Sequence, residues 1–181
     1  MQFMSMYFYG FACGIILFPL PDKLGKKATM TWLMIPFVLA SALAVFGTTI
    51  EEKSVGLFLQ GFLHLKIMVS YAHMFELTDE SNKPFCSLCI NTFDISSVST
   101  QGLAFFFLTR DATSYMEFMW YLGTAATFLY LLVVPESPRW LFLQHRHSEA
   151  INNLNYIAWL NGSSKRIPIS AQFDFLEQAI I

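Results

Sequence analysis

The sequence predicts an all-α membrane protein, a polytopic bundle of about five transmembrane helices. Of its 181 residues, 55% are hydrophobic and only 13% are charged, and the mean hydropathy is +0.47. A soluble domain carries about 25% charged residues, so this chain has too little polar surface to cover a water-soluble globule. The apolar residues gather in long runs, and the basic residues gather in alternate loops between them. Both patterns are typical of integral membrane proteins.

Five apolar runs are long enough to cross a bilayer, which takes about 20 residues in a helix. The fourth run is the least apolar, because it contains Asn91, Asp94 and several serines. In the first run, Gly10 and Gly14 form a G-x-x-x-G pattern, which allows another helix to approach closely, although small residues are common in membrane helices in general. The predicted transmembrane helices cover residues 3–20, 29–48, 55–75, 85–108 and 115–134.

The basic residues predict the orientation of these helices, because cytoplasmic loops carry an excess of Lys and Arg. If the loop before the second run faces the cytoplasm, the later loops alternate, and the segment 135–181 is cytoplasmic as well. Only Lys53 and Arg110 then lie outside. Eight basic residues lie inside, which favours five crossings: Lys23, Lys26, Lys27, Lys83, Arg139, Arg146, Lys165 and Arg166.

The cytoplasmic segment contains a predicted amphipathic helix over residues 148–160, too short and too polar to cross a membrane. Ser148 can cap the start of this helix, and Asn161-Gly162 can end it with a left-handed turn. Asn161-Gly162-Ser163 also has the form of a glycosylation sequon. We expect it to stay unmodified on the cytoplasmic side.

The last apolar run ends at a polar motif, Pro135-Glu136-Ser137-Pro138-Arg139-Trp140-Leu141. Its prolines disfavour helix before them, so they predict the end of the preceding helix. The sequence PESPRWL resembles the signature that follows the sixth helix in sugar and organic-ion carriers of the major facilitator superfamily.

Further stretches resemble the same superfamily, in the same order along the chain. The motif Asp22-Lys23-x-Gly25-Lys26-Lys27 resembles the loop between helices two and three, with Phe18 in place of the family's leading glycine. The weaker matches are Gln60-Gly61 (with Leu57 in place of an arginine), Glu76 with Lys83, and Arg110-Asp111 (with Ala112 in place of a tryptophan). The stretch from Ala150 to Gly162 is similar to the cytoplasmic helix of the organic cation/anion transporter branch.

The resemblance implies that the five runs are helices two to six of a twelve-helix carrier that moves small organic solutes by alternating access. The implied partners are the lipid bilayer and an unidentified small organic solute, and a partner chain could supply the remaining helices. We expect the plasma membrane, with an organelle membrane as the alternative. Two other functions stay open, a structural membrane subunit that no longer transports and a sugar transporter.

In this superfamily, charges at the cytoplasmic rim act as a gate or latch, and exposed ion pairs suit that role because they are weak enough to break and reform. For the lysines alone, a role in setting the topology is the better interpretation. The residues that the resemblance places in the latch are Asp22, Lys23, Gly25, Lys26, Lys27, Glu76, Lys83, Glu136 and Arg139.

Lys66 lies near the middle of the third run, where a lysine costs about 2.5–3.5 kcal/mol and should face a cavity or a partner. Asp94 lies at a similar depth on the next run, so we predict that Lys66 and Asp94 pair or share a polar cavity. An ion pair that only packs helices together is the alternative. Gln60 and His73 are further candidates for the lining of that cavity, although a hydrogen-bonded packing histidine is the simpler interpretation of His73.

Nothing in the sequence indicates an enzyme, a cofactor or a metal site. Cys86 and Cys89 form a lone C-x-x-C, whereas a structural zinc site needs four ligands. Together with Cys13 they lie in or beside apolar runs, which favours plain packing and argues against a disulfide framework. No phosphate-binding loop, hydrolase motif or basic patch for nucleic acid is present.

Overall fold

The computed structural model describes residues 2–107 and 111–168, with the side chains of all of these except residues 2–4 and 98. In this part of the chain the protein consists of α-helices and 3₁₀ turns, which confirms the predicted all-α class. The helices are α1 (Gln2–Gly14), α2 (Leu20–Leu24), α3 (Lys26–Phe46), α4 (Ile50–Phe62), α5 (Leu65–Leu77), α6 (Lys83–Phe107), α7 (Ala112–Val133), α8 (Pro138–Leu143) and α9 (His147–Leu160).

The first predicted helix, 3–20, is shorter in the structure. It ends as α1 at Gly14 and continues as a 3₁₀ turn over Ile15–Leu17. The stretch Leu20–Leu24, predicted to be loop, forms the short helix α2. Pro21 lies in the first turn of α2, where its missing backbone N–H leaves no helical hydrogen bond unmade.

The third predicted helix, 55–75, is longer and interrupted. It starts at Ile50, where Thr49 and Glu52 form a reciprocal capping box, and it reaches Leu77. At Leu63 and His64 the hydrogen bonding changes to shorter steps, such as His64 N–H to Gly61 O at 3.0 Å, which separates α4 from α5.

Three helical segments in the described chain are long and apolar enough to cross a membrane: Lys26–Phe46, Ile50–Leu77 and Ala112–Val133. The apolar stretch Ser5–Leu17 is shorter. Helix α6 has the length, but polar residues such as Asn91 and Asp94 lower its hydropathy. The topology with five crossings therefore stays a prediction.

The closest packing in the bundle joins α1 to α4, as the Gly10–Gly14 pattern predicts. A Cβ atom on Gly10 would lie 1.9 Å from the carbonyl oxygen of Phe58, and one on Gly61 would lie 2.0 Å from that of Tyr7. The two backbones are in direct contact, which only glycine permits. A side-chain contact also joins α1 to the junction of α4 and α5, where Tyr7 Oη lies 2.5 Å from His64 Nδ1.

The buried core lies between α3 and the α4–α5 segment. Met30 and Leu33 of α3 pack there against Leu63, Leu65 and Val69. Helix α7 packs along α3, where the Trp120 indole N–H donates to the carbonyl oxygen of Val38 at 3.1 Å. Within the described chain α6 packs mainly against its own neighbours in sequence, so most of its surface is exposed.

Helix α7 begins at a cap and ends before the proline motif. Asp111 accepts hydrogen bonds from the backbone N–H groups of Thr113 and Ser114, and the hydrogen bond from the Ser114 hydroxyl is the main cause that lowers the pKa of its carboxyl group. The partner of Asp111 in the family motif, Arg110, lies outside the described residues. The helix ends at Val133, two residues before Pro135.

The segment after Pro135, predicted to be cytoplasmic, contains two helices where the sequence predicts one. Ser137 caps the additional helix, α8, by accepting from the backbone N–H of Trp140 at 3.3 Å. Helix α9 begins at His147 rather than at Ser148, and Arg146 bridges its first turn to Glu149 with two hydrogen bonds of 2.8 and 2.5 Å. Gly162 follows with a φ of 72°, the predicted left-handed turn. Residues 169–181 of the segment lie outside the described part.

Candidate functional site

Glu136 of the proline motif binds the amino end of α3. Its Oε1 accepts from the backbone N–H of Lys27 at 2.9 Å, and its Oε2 accepts from that of Ala28 at 3.3 Å. These N–H groups belong to the first turn of α3 and have no partner inside the helix. A negative charge at this position also interacts favourably with the helix dipole. The carboxylate therefore joins the proline motif to a helix more than 100 residues earlier in the chain.

Gly25 lies next to this contact, and two features of its position require a glycine. Its φ of 94° is in the left-handed region that other residues avoid. A Cβ atom on Gly25 would also lie 2.6 Å from Glu136 Oε2 and 3.2 Å from the Trp140 ring. The Trp140 ring lies beside Gly25, and its indole N–H donates to the backbone carbonyl of Asp22 at 3.1 Å.

Lys26 and Glu76 form an ion pair between the start of α3 and the end of α5. The distance from Nζ to Oε1 is 2.6 Å, and only 11% and 20% of the two side chains are exposed. We refer to Gly25, Lys26, Glu76, Glu136 and Trp140 as the inner-rim cluster. It brings together four of the predicted latch residues and adds Trp140.

The remaining latch residues are not part of this cluster. Lys83 pairs with Glu80, one turn away, instead of with Glu76. Arg139 is exposed and, among the described residues, forms no ion pair. Asp22, Lys23 and Lys27 likewise form no ion pair in the described chain, and Asp22 and Lys27 contribute only backbone groups. These five positions are better explained as charges at the membrane boundary.

His73 is a buried packing residue rather than a cavity residue. It is 1% exposed, and its Nδ1 lies 2.7 Å from the Tyr130 hydroxyl of α7. His73 is not among the residues that line the cavity between α3 and α7.

A cavity of about 770 Å³ lies between α3, the α4–α5 segment, α6 and α7. Gln60 and Lys66 line it, as predicted. The Lys66 ammonium group lies 3.6 Å from the centre of the Phe37 ring, which is a cation–π contact. The wall opposite is formed by α7 side chains that include Met119 and Trp120.

The predicted pair of Lys66 and Asp94 does not form. Lys66 contacts Phe37, and Asp94 Oδ2 instead accepts from the Tyr71 hydroxyl at 2.7 Å. Asp94 also lies outside the lining of the cavity. Two residues at the same depth on neighbouring helices face each other only if both side chains point toward the shared interface, and depth alone does not determine this.

Sequence reasoning missed several residues that build these sites. Trp140 was visible within the motif, and the glycine at position 25 signalled a close approach. Lys53 lines the cavity, although the sequence assigns it only to an outer boundary. Thr124 also lines it, and its hydroxyl is buried without a hydrogen-bond partner in the described chain. Nothing in the sequence distinguishes Thr124 from the other threonines.

The ion pair at the inner rim should contribute measurably to stability. We expect Lys26→Ala and Glu76→Ala each to lower the free energy of unfolding by about 1–3 kcal/mol, because each leaves a half-buried charge unpaired. A double-mutant cycle in detergent micelles should give a coupling energy of about 1–2 kcal/mol. The exposed pair Lys83–Glu80 is the matched control, expected below about 1 kcal/mol. Equal coupling in the two cycles would contradict the structure of the rim.

Comparisons with known proteins agree on one family. The family model described as "Sugar (and other) transporter" matches residues 1–173. Solute carrier family 22 member 20 of Mus musculus is 27% identical over 161 residues, covering 87% of this chain and 28% of the relative. The carcinine transporter of Drosophila melanogaster is 29% identical over 156 residues, covering 82% and 22%. Solute carrier family 22 member 6-B of Xenopus laevis is 28% identical over 169 residues, covering 89% and 29%. The chain spans less than a third of the length of these relatives.

Proposed function

The chain belongs to the sugar (and other) transporter family, and from this premise we propose that it takes part in moving a small organic solute across a membrane. It is an all-α integral membrane protein of the major facilitator superfamily, and its relatives belong to the organic cation/anion transporter branch. We place it in the plasma membrane, with an organelle membrane as the alternative.

The cavity is the observation that carries this proposal. Its volume of about 770 Å³ is within the usual range for small-molecule sites, which is about 300–1,000 Å³. Aromatic and thioether side chains line it together with two lysines, two glutamines and several hydroxyl groups. Such a mixture suits an organic solute with an apolar body and one charged group. The relatives of the chain belong to the organic cation/anion transporter branch, which favours an organic ion over a sugar.

The inner-rim cluster would act as the latch of the inner gate. It holds the inner end of α3 against α5 through Lys26 and Glu76, and against the cytoplasmic segment through Glu136. Each contact is a charged interaction near water, and such interactions can break and reform at moderate cost. Breaking them would free the inner ends of the helices, as alternating access requires.

A non-transporting structural subunit is the second candidate. One observation favours it, since α7 has no buried residue and α6 is largely exposed in the described chain. Helix faces of this kind suit contact with the helices of another chain.

Uptake by the chain alone separates the two candidates. We expect purified chain in proteoliposomes to take up a labelled organic ion with saturable kinetics. The probes are tetraethylammonium, a cation, and 2-naphthoate, an anion. Saturable uptake of either ion supports transport. Uptake equal to that of protein-free liposomes for both ions would support the structural subunit instead.

A further inference from the structure

We infer that the cavity binds an organic anion with an aromatic body, held by Lys66 and drawn in by Lys53. The inference rests on the proposed function, because it names the class of solute for the same cavity. Four observations support it: the positive charge of the lining, the absence of an anionic partner for Lys66, the position of Lys53 and the aromatic side chains of the walls.

The lining of the cavity is positively charged. Lys53 and Lys66 are its charged residues among those that the structure describes, and no carboxylate joins them there. Glu117 of α7 is next to the lining in sequence but is not part of it, and two other acidic groups have partners of their own. Glu52 Oε2 accepts from the backbone N–H of Thr48 at 2.7 Å, and Asp94 binds Tyr71. An organic cation entering this cavity would meet two like charges and no counterion.

Lys66 lies within a predicted membrane helix and has no anionic partner in the described chain. Its ammonium group rests on the Phe37 ring and, in the described chain, forms no ion pair. A lysine within a membrane helix is costly, and a cation–π contact offsets only part of that cost. A carboxylate or sulfonate next to Lys66 would supply the missing charge through a charge-assisted hydrogen bond.

Lys53 lies closer to the outer end of the same segment. Along a helix that rises about 1.5 Å per residue, the two lysines are about 20 Å apart. In the predicted topology, Lys53 is therefore at the outer mouth and Lys66 is deep in the bundle. A cation at the mouth raises the local concentration of anions and speeds their entry.

The walls between the lysines suit an aromatic body. Phe37, Phe105 and Trp120 present rings to the cavity, and Met116 and Met119 present thioethers. Ring stacking and contacts between sulfur and rings are favourable for aromatic ligands. Thr124 lines the same cavity, and its hydroxyl is buried without a protein partner in the described chain.

The test is binding measured separately from transport. Equilibrium dialysis of the chain in nanodiscs compares 2-naphthoate with the 2-naphthyltrimethylammonium ion, which has the same rings and the opposite charge. We expect saturable binding of the anion and none of the cation. Lys66→Gln should weaken anion binding by at least about tenfold, because the charge-assisted hydrogen bond is lost, and Lys66→Arg should restore most of the binding.

Two further variants complete the design. Lys66→Glu should reverse the preference from anion to cation. Lys165→Gln removes a positive charge from the exposed cytoplasmic tail and should leave binding unchanged. Circular dichroism shows that each variant has retained its helix content, and Lys66→Met, which also removes the charge, serves if Lys66→Gln does not fold.

The outcomes keep the inference and the proposed function apart. Absence of saturable naphthoate binding, or binding that Lys66→Gln leaves intact, overturns the anion site even if the chain transports a cation. Binding that depends on Lys66 without any uptake upholds the anion site and overturns transport by this chain.

Discussion

Replacement of Gly61 by leucine is expected to separate α1 from α4 and to lower the free energy of unfolding by about 3 kcal/mol or more. A Cβ atom at this position would lie 2.0 Å from the Tyr7 carbonyl oxygen and 2.9 Å from the Phe11 backbone nitrogen. These are backbone atoms, so no rotation of a side chain can relieve the clash. Unfolding by sodium dodecyl sulfate in mixed micelles, followed by tryptophan fluorescence, measures the loss.

Gly102→Leu is the matched control for this variant. Gly102 also lies inside a helix, but a Cβ atom there meets nothing within 4 Å. We expect the control to change the unfolding free energy by no more than about 1 kcal/mol, since the substitution mainly alters helix propensity. If both variants unfold alike, α1 and α4 do not make the glycine contact.

The second large effect is expected for Glu136→Gln. The amide keeps the size of the side chain but removes its negative charge. It also replaces one of the two oxygens that accept from Lys27 and Ala28 by an NH₂ group, which can only donate. We expect the free energy of unfolding to fall by about 2–3 kcal/mol, because charged hydrogen bonds to the helix end are lost and one backbone N–H is left unpaired. Unfolding in mixed micelles gives this value.

Hydrogen exchange shows where the loss occurs. The amide hydrogens of Lys27 and Ala28 should exchange at least about tenfold faster in Glu136→Gln, since their protection depends on this carboxylate. Glu149→Gln is the control, because Glu149 is exposed and, in the described chain, pairs with Arg146 within its own helix turn. Unchanged exchange at Lys27 and Ala28 would show that Glu136 does not cap α3.

The sequence predicted those features that depend on local chemistry. The long apolar runs indicated helices, and the prolines at 135 and 138 marked the end of α7. Glycines at 10 and 14 indicated a close helix contact, although the partner glycine at 61 could be found only in the structure. Such features follow from the backbone preferences of a few neighbouring residues.

Features that depend on the direction of helix faces could not be predicted in this way. The contact of Glu136 with Lys27 and Ala28 joins parts of the chain that share no sequence pattern. The Lys66–Asp94 prediction used depth in the membrane alone, and the rotation of each helix about its axis directed the two side chains to different partners. Helix rotation is set by the packing of the whole bundle.

The change of hydrogen bonding at Leu63 and His64 gives the α4–α5 segment a defined bending point. On one side of this point α4 is fixed to α1 by glycine contacts. On the other side α5 is held by the packing of Leu65 and Val69 against α3 and, at its far end, by the ion pair of Glu76 with Lys26. Bending there would tilt α5 and carry Lys66 and Glu76 with it while α4 stays in place. Lys66 in the cavity and Glu76 in the inner-rim cluster would then move together, because both belong to α5.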